Sequence, residues 1–102
     1  MSARRRRLRI TPRARQDYDD ILVYSEGIWG QEQADRYEAA LNRALDDLLD
    51  FPLMGRTRDD ISPGLRSRQA QQHVIYYRVK GNVIEIVRIL HERMDAVRQL
   101  SP

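Results

Sequence analysis

Apolar residues recur at helical spacing through the first half of the chain and alternate through much of the second. A short alternating start, Leu8-Arg9-Ile10, predicts a strand. Thr11-Pro12 then marks a helix start, since Thr caps well and Pro suits the first helical position. Ala14, Tyr18, Ile21, Leu22, Ser25, Ile28 and Trp29 fall on one helical stripe, and Gly30 supplies the stop. A second stripe follows from about Gln31: Ala34, Tyr37, Leu41, Ala44, Leu45 and Leu48, ended by Phe51-Pro52. The tight connection predicts an antiparallel helical hairpin. Its second helix carries Asp35, Glu38, Asp46, Asp47 and Asp50 on the other face, read as a solvated surface.

Residues 53–64 read as a loop, with Met54-Gly55-Arg56 and Ser62-Pro63-Gly64 as breakers. From Leu65 the period becomes two. Residues 65–70 form a polar strand, and residues 73–79 and 83–90 form two strongly β-prone ones. Lys80-Gly81-Asn82 joins the last two as a hairpin, with Gly81-Asn82 at the tip. A two-residue loop sets Val79 against Ile84, Arg78 against Glu85 as an ion pair, and Tyr77 against Ile86. Met94, Val97 and Leu100 suggest a short closing helix. The order is β-α-α-β-β-β-(α). A helical hairpin must bury its stripe, and only the sheet is large enough to cover it. The expected architecture is therefore a two-layer α+β domain over residues 8–100, a helical hairpin on a mainly antiparallel sheet, after an Arg-rich flexible arm at 1–7. Ile75, Tyr77, Val79, Ile84 and Ile86 should face the helices. The opposite face or the rim is left for function.

Length and composition narrow the chemistry. At 102 residues the chain has room for one domain only. Without cysteine it has no disulfide, thiolate metal site or Cys nucleophile. Two His, His73 and His91, make a metal centre unexpected, and no cofactor motif is present. No apolar run is long enough for a membrane span. The start Arg4-Arg5-Arg6-Arg7 lacks a following apolar region, so export is rejected and a cytoplasmic protein expected. Net charge +3 conceals segregation: residues 1–16 carry +7, residues 17–50 carry −8 and residues 51–102 carry +4. All but one of the basic residues are Arg, whose planar fork pairs carboxylates and phosphates. The basic C-terminal half thus suits nucleic acid or an acidic protein. A major-groove binder is not expected, because the long helices are acidic, and neither is direct nucleic-acid binding.

The chain resembles the ParE branch of the ParE/RelE toxin superfamily of type II toxin–antitoxin systems. The resemblance rests on Ile10-Thr11-Pro12-Arg13-Ala14, Ile28-Trp29-Gly30, Gln33-Ala34 with Tyr37, and Phe51-Pro52-Leu53-Met54-Gly55-Arg56. It continues through Gly64-Leu65-Arg66, His73-Val74-Ile75-Tyr76-Tyr77-Arg78 and residues 86–95, Ile86 to Asp95. It implies a bacterial toxin held inactive by a cognate ParD-like antitoxin with an acidic, amphipathic segment. ParE-like members poison DNA gyrase. RelE-like members share the fold and cut mRNA on the ribosome.

Cleavage by 2′-OH attack needs a base, an acid and cations for the phosphorane charge. Arg66, Arg68, Arg78, Arg88 and Arg93 could supply the cations, His91 an acid or base, and Glu92 or Glu85 a base. A nuclease centre would then comprise His91, Arg68, Arg88 and Glu92. Against it, RelE-like nucleases resemble one another in a Lys/Arg-rich central strand and an aromatic or His acid near the C-terminus, for which His91 is the one good candidate. Here Lys80 sits at a turn and no Tyr follows Tyr77. The sequence therefore favours a gyrase inhibitor with no catalytic residues, and a structural role for His91. Candidate contacts to antitoxin or target are Arg66, Arg68, Tyr76, Arg78, Arg88 and Arg93. Tyr18, Trp29 and Tyr37 read as packing residues.

Overall fold

The computed structural model describes residues 6–100. Strand β1 (Arg7–Ile10) leads into α1 (Pro12–Trp29) and α2 (Gln31–Asp50). Then come β2 (Arg56–Thr57), β3 (Arg66–Ala70), β4 (His73–Lys80), β5 (Val83–His91) and α3 (Ala96–Leu100). The five strands form one sheet in the order β1-β5-β4-β3-β2. Only the β1–β5 pairing is parallel; the other three are antiparallel. The mainly antiparallel two-layer α+β architecture expected from the sequence is the one observed. Two details differ. Arg7, expected in the arm, is the first strand residue, its N–H bonded to the Asn82 carbonyl at 2.9 Å. Within the expected loop at 53–64, Arg56–Thr57 adds a short edge strand to β3. Residues 1–5 of the expected arm lie outside the described residues.

The helix starts as its sequence dictates. Thr11 Oγ1 accepts the Ala14 N–H at 3.1 Å, and Pro12 occupies the first helical position. Gly30 alone joins the helices. Its φ of 86° closes α1 and opens α2, a conformation glycine adopts without side-chain strain. The α2 stripe is buried as expected: Ala34, Tyr37, Leu41, Ala44, Leu45 and Leu48. Along α1 only Ala14, Ile21 and Ser25 are buried, while Ile28 and Trp29 are 58% and 42% exposed. The last turn of α1 outruns the sheet. It overhangs a cleft floored by the strand ends His73 and His91, so Trp29 packs beside Tyr37 but stays open to solvent.

Ile75, Tyr77, Val79, Ile84 and Ile86 face the helices, as expected, and join Ala14, Ile21, Tyr37, Leu41, Leu45 and Leu48 in the main core. The hairpin register matches expectation as far as Tyr77↔Ile86. A β-bulge then gives β5 one extra residue, so Tyr76 opposes Arg88 and His73 opposes His91. The opposite sheet face is not left open. Leu65, Tyr76 and Leu90 form a second small core there, covered by Ile61 of the 58–65 loop and by Ala96 and Leu100 of α3. Arg78 does oppose Glu85, but the two do not pair. Arg78 Nη2 donates to Ser62 Oγ at 2.5 Å in that covering loop, and Glu85 takes the diagonal Lys80 at 3.2 Å.

Candidate functional site

The candidate arginines are split by the fold. Residues directly opposed across an antiparallel ladder share a face. Arg66 opposes Tyr77 and Arg68 opposes Ile75, so both lie on the helix side, at the β3 rim. Arg78 is on the other face. Arg66 Nη1 donates to the carbonyls of Leu53 and Gly55 at 3.3 and 2.8 Å. Arg68 Nη2 donates to Asp47 Oδ2 at 2.9 Å, and its Nη1 touches Met54 Sδ at 3.3 Å. These two cations brace the loop after α2. Reversing their charge would disturb that loop as well as the surface potential.

Arg88 is not a surface contact. It is buried, with its Nε and Nη2 on the two carboxylate oxygens of Asp17 at 2.7 and 3.0 Å. The carboxylate holds the guanidinium's pKa above its usual value. Asp17 Oδ2 also accepts the Ile89 N–H at 3.0 Å. The physical reason lies at the sheet edge. Strand β1 ends at Ile10, and beyond it β5 needs other partners. Thr11 Oγ1 takes the role for the Val87 carbonyl at 3.0 Å, and Asp17 for Ile89. Asp17 went unnoticed among the sequence candidates. Its signal was an acid at helical spacing between Ala14 and Ile21, inside the buried stripe.

Tyr76, a candidate contact, is 5% exposed and packed in the second core, so it presents no binding surface. Arg93 is exposed. Glu92 is exposed too, with Oε1 accepting from Gln69 Nε2 at 2.9 Å. His91 Nδ1 accepts the Arg93 N–H at 3.1 Å, a strand-to-turn contact. The four nuclease candidates are therefore not gathered. Arg68 on β3 and Arg88 on β5 are separated by β4, and each is tied to a different helix. Among the described residues no three His, Asp or Glu side chains come together to hold a metal ion. No described helix is long and apolar enough to cross a membrane.

A second feature escaped the sequence reading. Trp29, Tyr37, His73 and His91 form a ladder of rings, with centroid separations of 5.8, 5.6 and 5.2 Å. Tyr37 Oη accepts the Gln72 N–H at 3.0 Å and is hydrogen-bonded to His73 Nδ1 at 2.5 Å. Burial, then the neighbouring His91, lowers the His73 pKa to about 4, against weaker opposition from Glu92 and Asp17. Unfolded chains carry His at about 6.5, so the unfolded state binds more protons between those values. Stability is therefore expected to fall as pH drops from 6.5 towards 4, by about 1–2 kcal/mol once the ring's partial exposure is discounted. Denaturant melts from pH 7.5 to 4.5, comparing wild type with His73→Gln, check this. Parallel pH dependences in the two proteins would remove His73 as the cause.

Residues 8–96 match the family model described as the ParE toxin of the type II toxin–antitoxin system parDE. The chain belongs to the ParE toxin family. Its ParE relatives include a Toxin ParE1 of Caulobacter vibrioides, 40% identical over 91% of this chain and 96% of that protein. A Toxin ParE1 of Mycobacterium tuberculosis is 38% identical over 89% and 94%. Among solved structures, a chain of the chromosomal ParDE TA system from P. aeruginosa superposes with a TM-score of 0.74 at 25% identity, covering 87% of this chain and 98% of that one. The ParE-like resemblance and the fold expected from the sequence both hold. In ParE terms, the helical hairpin and the mixed sheet are the family's frame, and the Asp17–Arg88 pair ties them together in this member.

Proposed function

We propose that this ParE-family toxin acts on DNA gyrase without catalysing a reaction of its own. In the cytoplasm, a cognate ParD-like antitoxin with an acidic, amphipathic segment holds it inactive. One observation carries the non-catalytic reading: both arginines of the candidate nuclease centre are already engaged. Arg88 is buried on Asp17, Arg68 is bound to Asp47, and β4 stands between them. A phosphorane charge would have to compete with those carboxylates for the same guanidinium donors. The antitoxin partner is supported by the similarity to a chain of a ParDE system.

Purified toxin is expected to inhibit gyrase supercoiling or to trap cleaved DNA, while translation in the same extract continues. Added cognate antitoxin should restore supercoiling. Codon-positioned mRNA cuts on ribosomes, abolished by His91→Ala, would replace this reading with a RelE-like mRNA interferase.

A further inference from the structure

The loop that leaves α2 puts three large apolar side chains into solvent. Phe51, Leu53 and Met54 are 64%, 65% and 46% exposed, and none belongs to either apolar core. Scattered exposed apolar residues are ordinary. Three within four positions form a patch, and here the backbone beneath them is fixed.

The fixing comes from the core. Tyr77 is fully buried, and its hydroxyl donates to the Pro52 carbonyl at 2.8 Å and accepts the Gly55 N–H at 2.9 Å. Between these anchors the Met54 N–H bonds the Phe51 carbonyl at 3.1 Å. Arg66 holds the Leu53 and Gly55 carbonyls, and Arg68 touches the Met54 sulfur. The loop is thus bonded at both ends and in the middle. Its apolar side chains are displayed, not tucked away.

We infer that residues 51–54 are a preformed knob that docks on the toxin's protein target, in an apolar pocket fringed by carboxylates. The inference rests on the gyrase reading above and assigns the contact surface for it. Two features select a folded target over a flexible antitoxin segment. About half or more of each side chain is exposed, so burying all three needs a receptor that encloses them, which a short unfolded segment does not offer. Its rigidity lowers the ordering cost of binding, which suits one fixed pocket. Charge selects the fringe. Arg68 and Asp47 neutralise each other, which leaves Arg56 and Arg66 against Asp50 around the loop, a local excess of positive charge.

The test uses the full chain carrying Phe51→Ser with Leu53→Ser, assayed for inhibition of supercoiling by purified gyrase on relaxed plasmid. A parallel titration measures binding to the cognate antitoxin. Both side chains lie outside the cores, so the melting temperature is expected to stay close to wild type. The inhibitory concentration is expected to rise about tenfold or more, as for loss of central apolar anchors, while antitoxin affinity changes less than about twofold. Met54→Ser should act in the same direction. Phe51→Tyr with Leu53→Met, which keeps the apolar volume, should retain inhibition.

Equal inhibition by the double Ser variant and wild type would overturn the docking assignment and leave the gyrase reading standing. Lost antitoxin binding with inhibition intact would give the knob to the antitoxin, and so overturn it as well. A wild-type toxin with no effect on gyrase would remove the gyrase reading and this assignment together.

Discussion

Asp17→Ala is expected to destabilise the domain by about 3–5 kcal/mol, the cost of removing one partner from a buried ion pair. The side chains of Arg88 and Asp17 are 11% and 14% exposed, so water cannot replace the lost carboxylate well. The variant would leave a guanidinium and the Ile89 N–H without their acceptor. In a domain of this size the melting temperature should drop by more than about 10 °C. Arg88→Met in the Asp17→Ala background should recover a substantial part of the loss, because an apolar side chain of similar length leaves no charge to solvate. Thermal and denaturant melts of the single and double variants check this. A single-variant loss below about 1 kcal/mol would mean the pair behaves as a solvated surface bridge.

That pair also marks the reach of the sequence. Its members are 71 positions apart, and nothing local announces that they meet. What was legible was periodic. The α2 stripe from Ala34 to Leu48 is buried residue for residue, because a helix lying along a sheet buries every third or fourth position. The β4–β5 register was legible as far as Tyr77↔Ile86, because a two-residue turn fixes it. The bulge beyond was not, since it depends on how β5 meets α1 after β1 has ended.

The functional face was misread for a related reason. Alternation in β4 and β5 identified the helix-facing side correctly and suggested that the other side was open. Tyr76, Leu90 and Leu65 instead bury that side beneath a loop and a five-residue helix, elements with little periodic signal of their own. A strand covered on both faces loses the clean apolar–polar contrast. The same limit applies to the loop at 51–55. Phe51, Leu53 and Met54 look like residues in search of a core, and only the bonds from Tyr77, Arg66 and Arg68 reveal that they are held outside one.

Gly55→Ala should be the most damaging single-atom addition at that loop. A methyl group there would overlap Tyr77 Oη and approach Tyr77 Cε1 and the Ser67 carbonyl within 2.7 and 2.8 Å. Neither can move cheaply: the ring fills the main core and the carbonyl belongs to β3. The chain must then shift the loop and break the Tyr77 bonds to Gly55 and Pro52. Overpacking combined with buried hydrogen-bond loss puts the cost at about 3 kcal/mol or more. Tyr77→Phe removes the same hydroxyl without adding volume, and should cost about 1–3 kcal/mol by leaving the Gly55 N–H unpaired. The two changes share one contact, so they should not add. In the double variant the hydroxyl that blocks the methyl is gone, and the combined loss should fall short of the summed losses by more than about 1 kcal/mol. Denaturant unfolding of all four proteins measures this coupling. Strict additivity, or a Gly55→Ala variant as stable as wild type, would mean that the loop is not clamped on Tyr77.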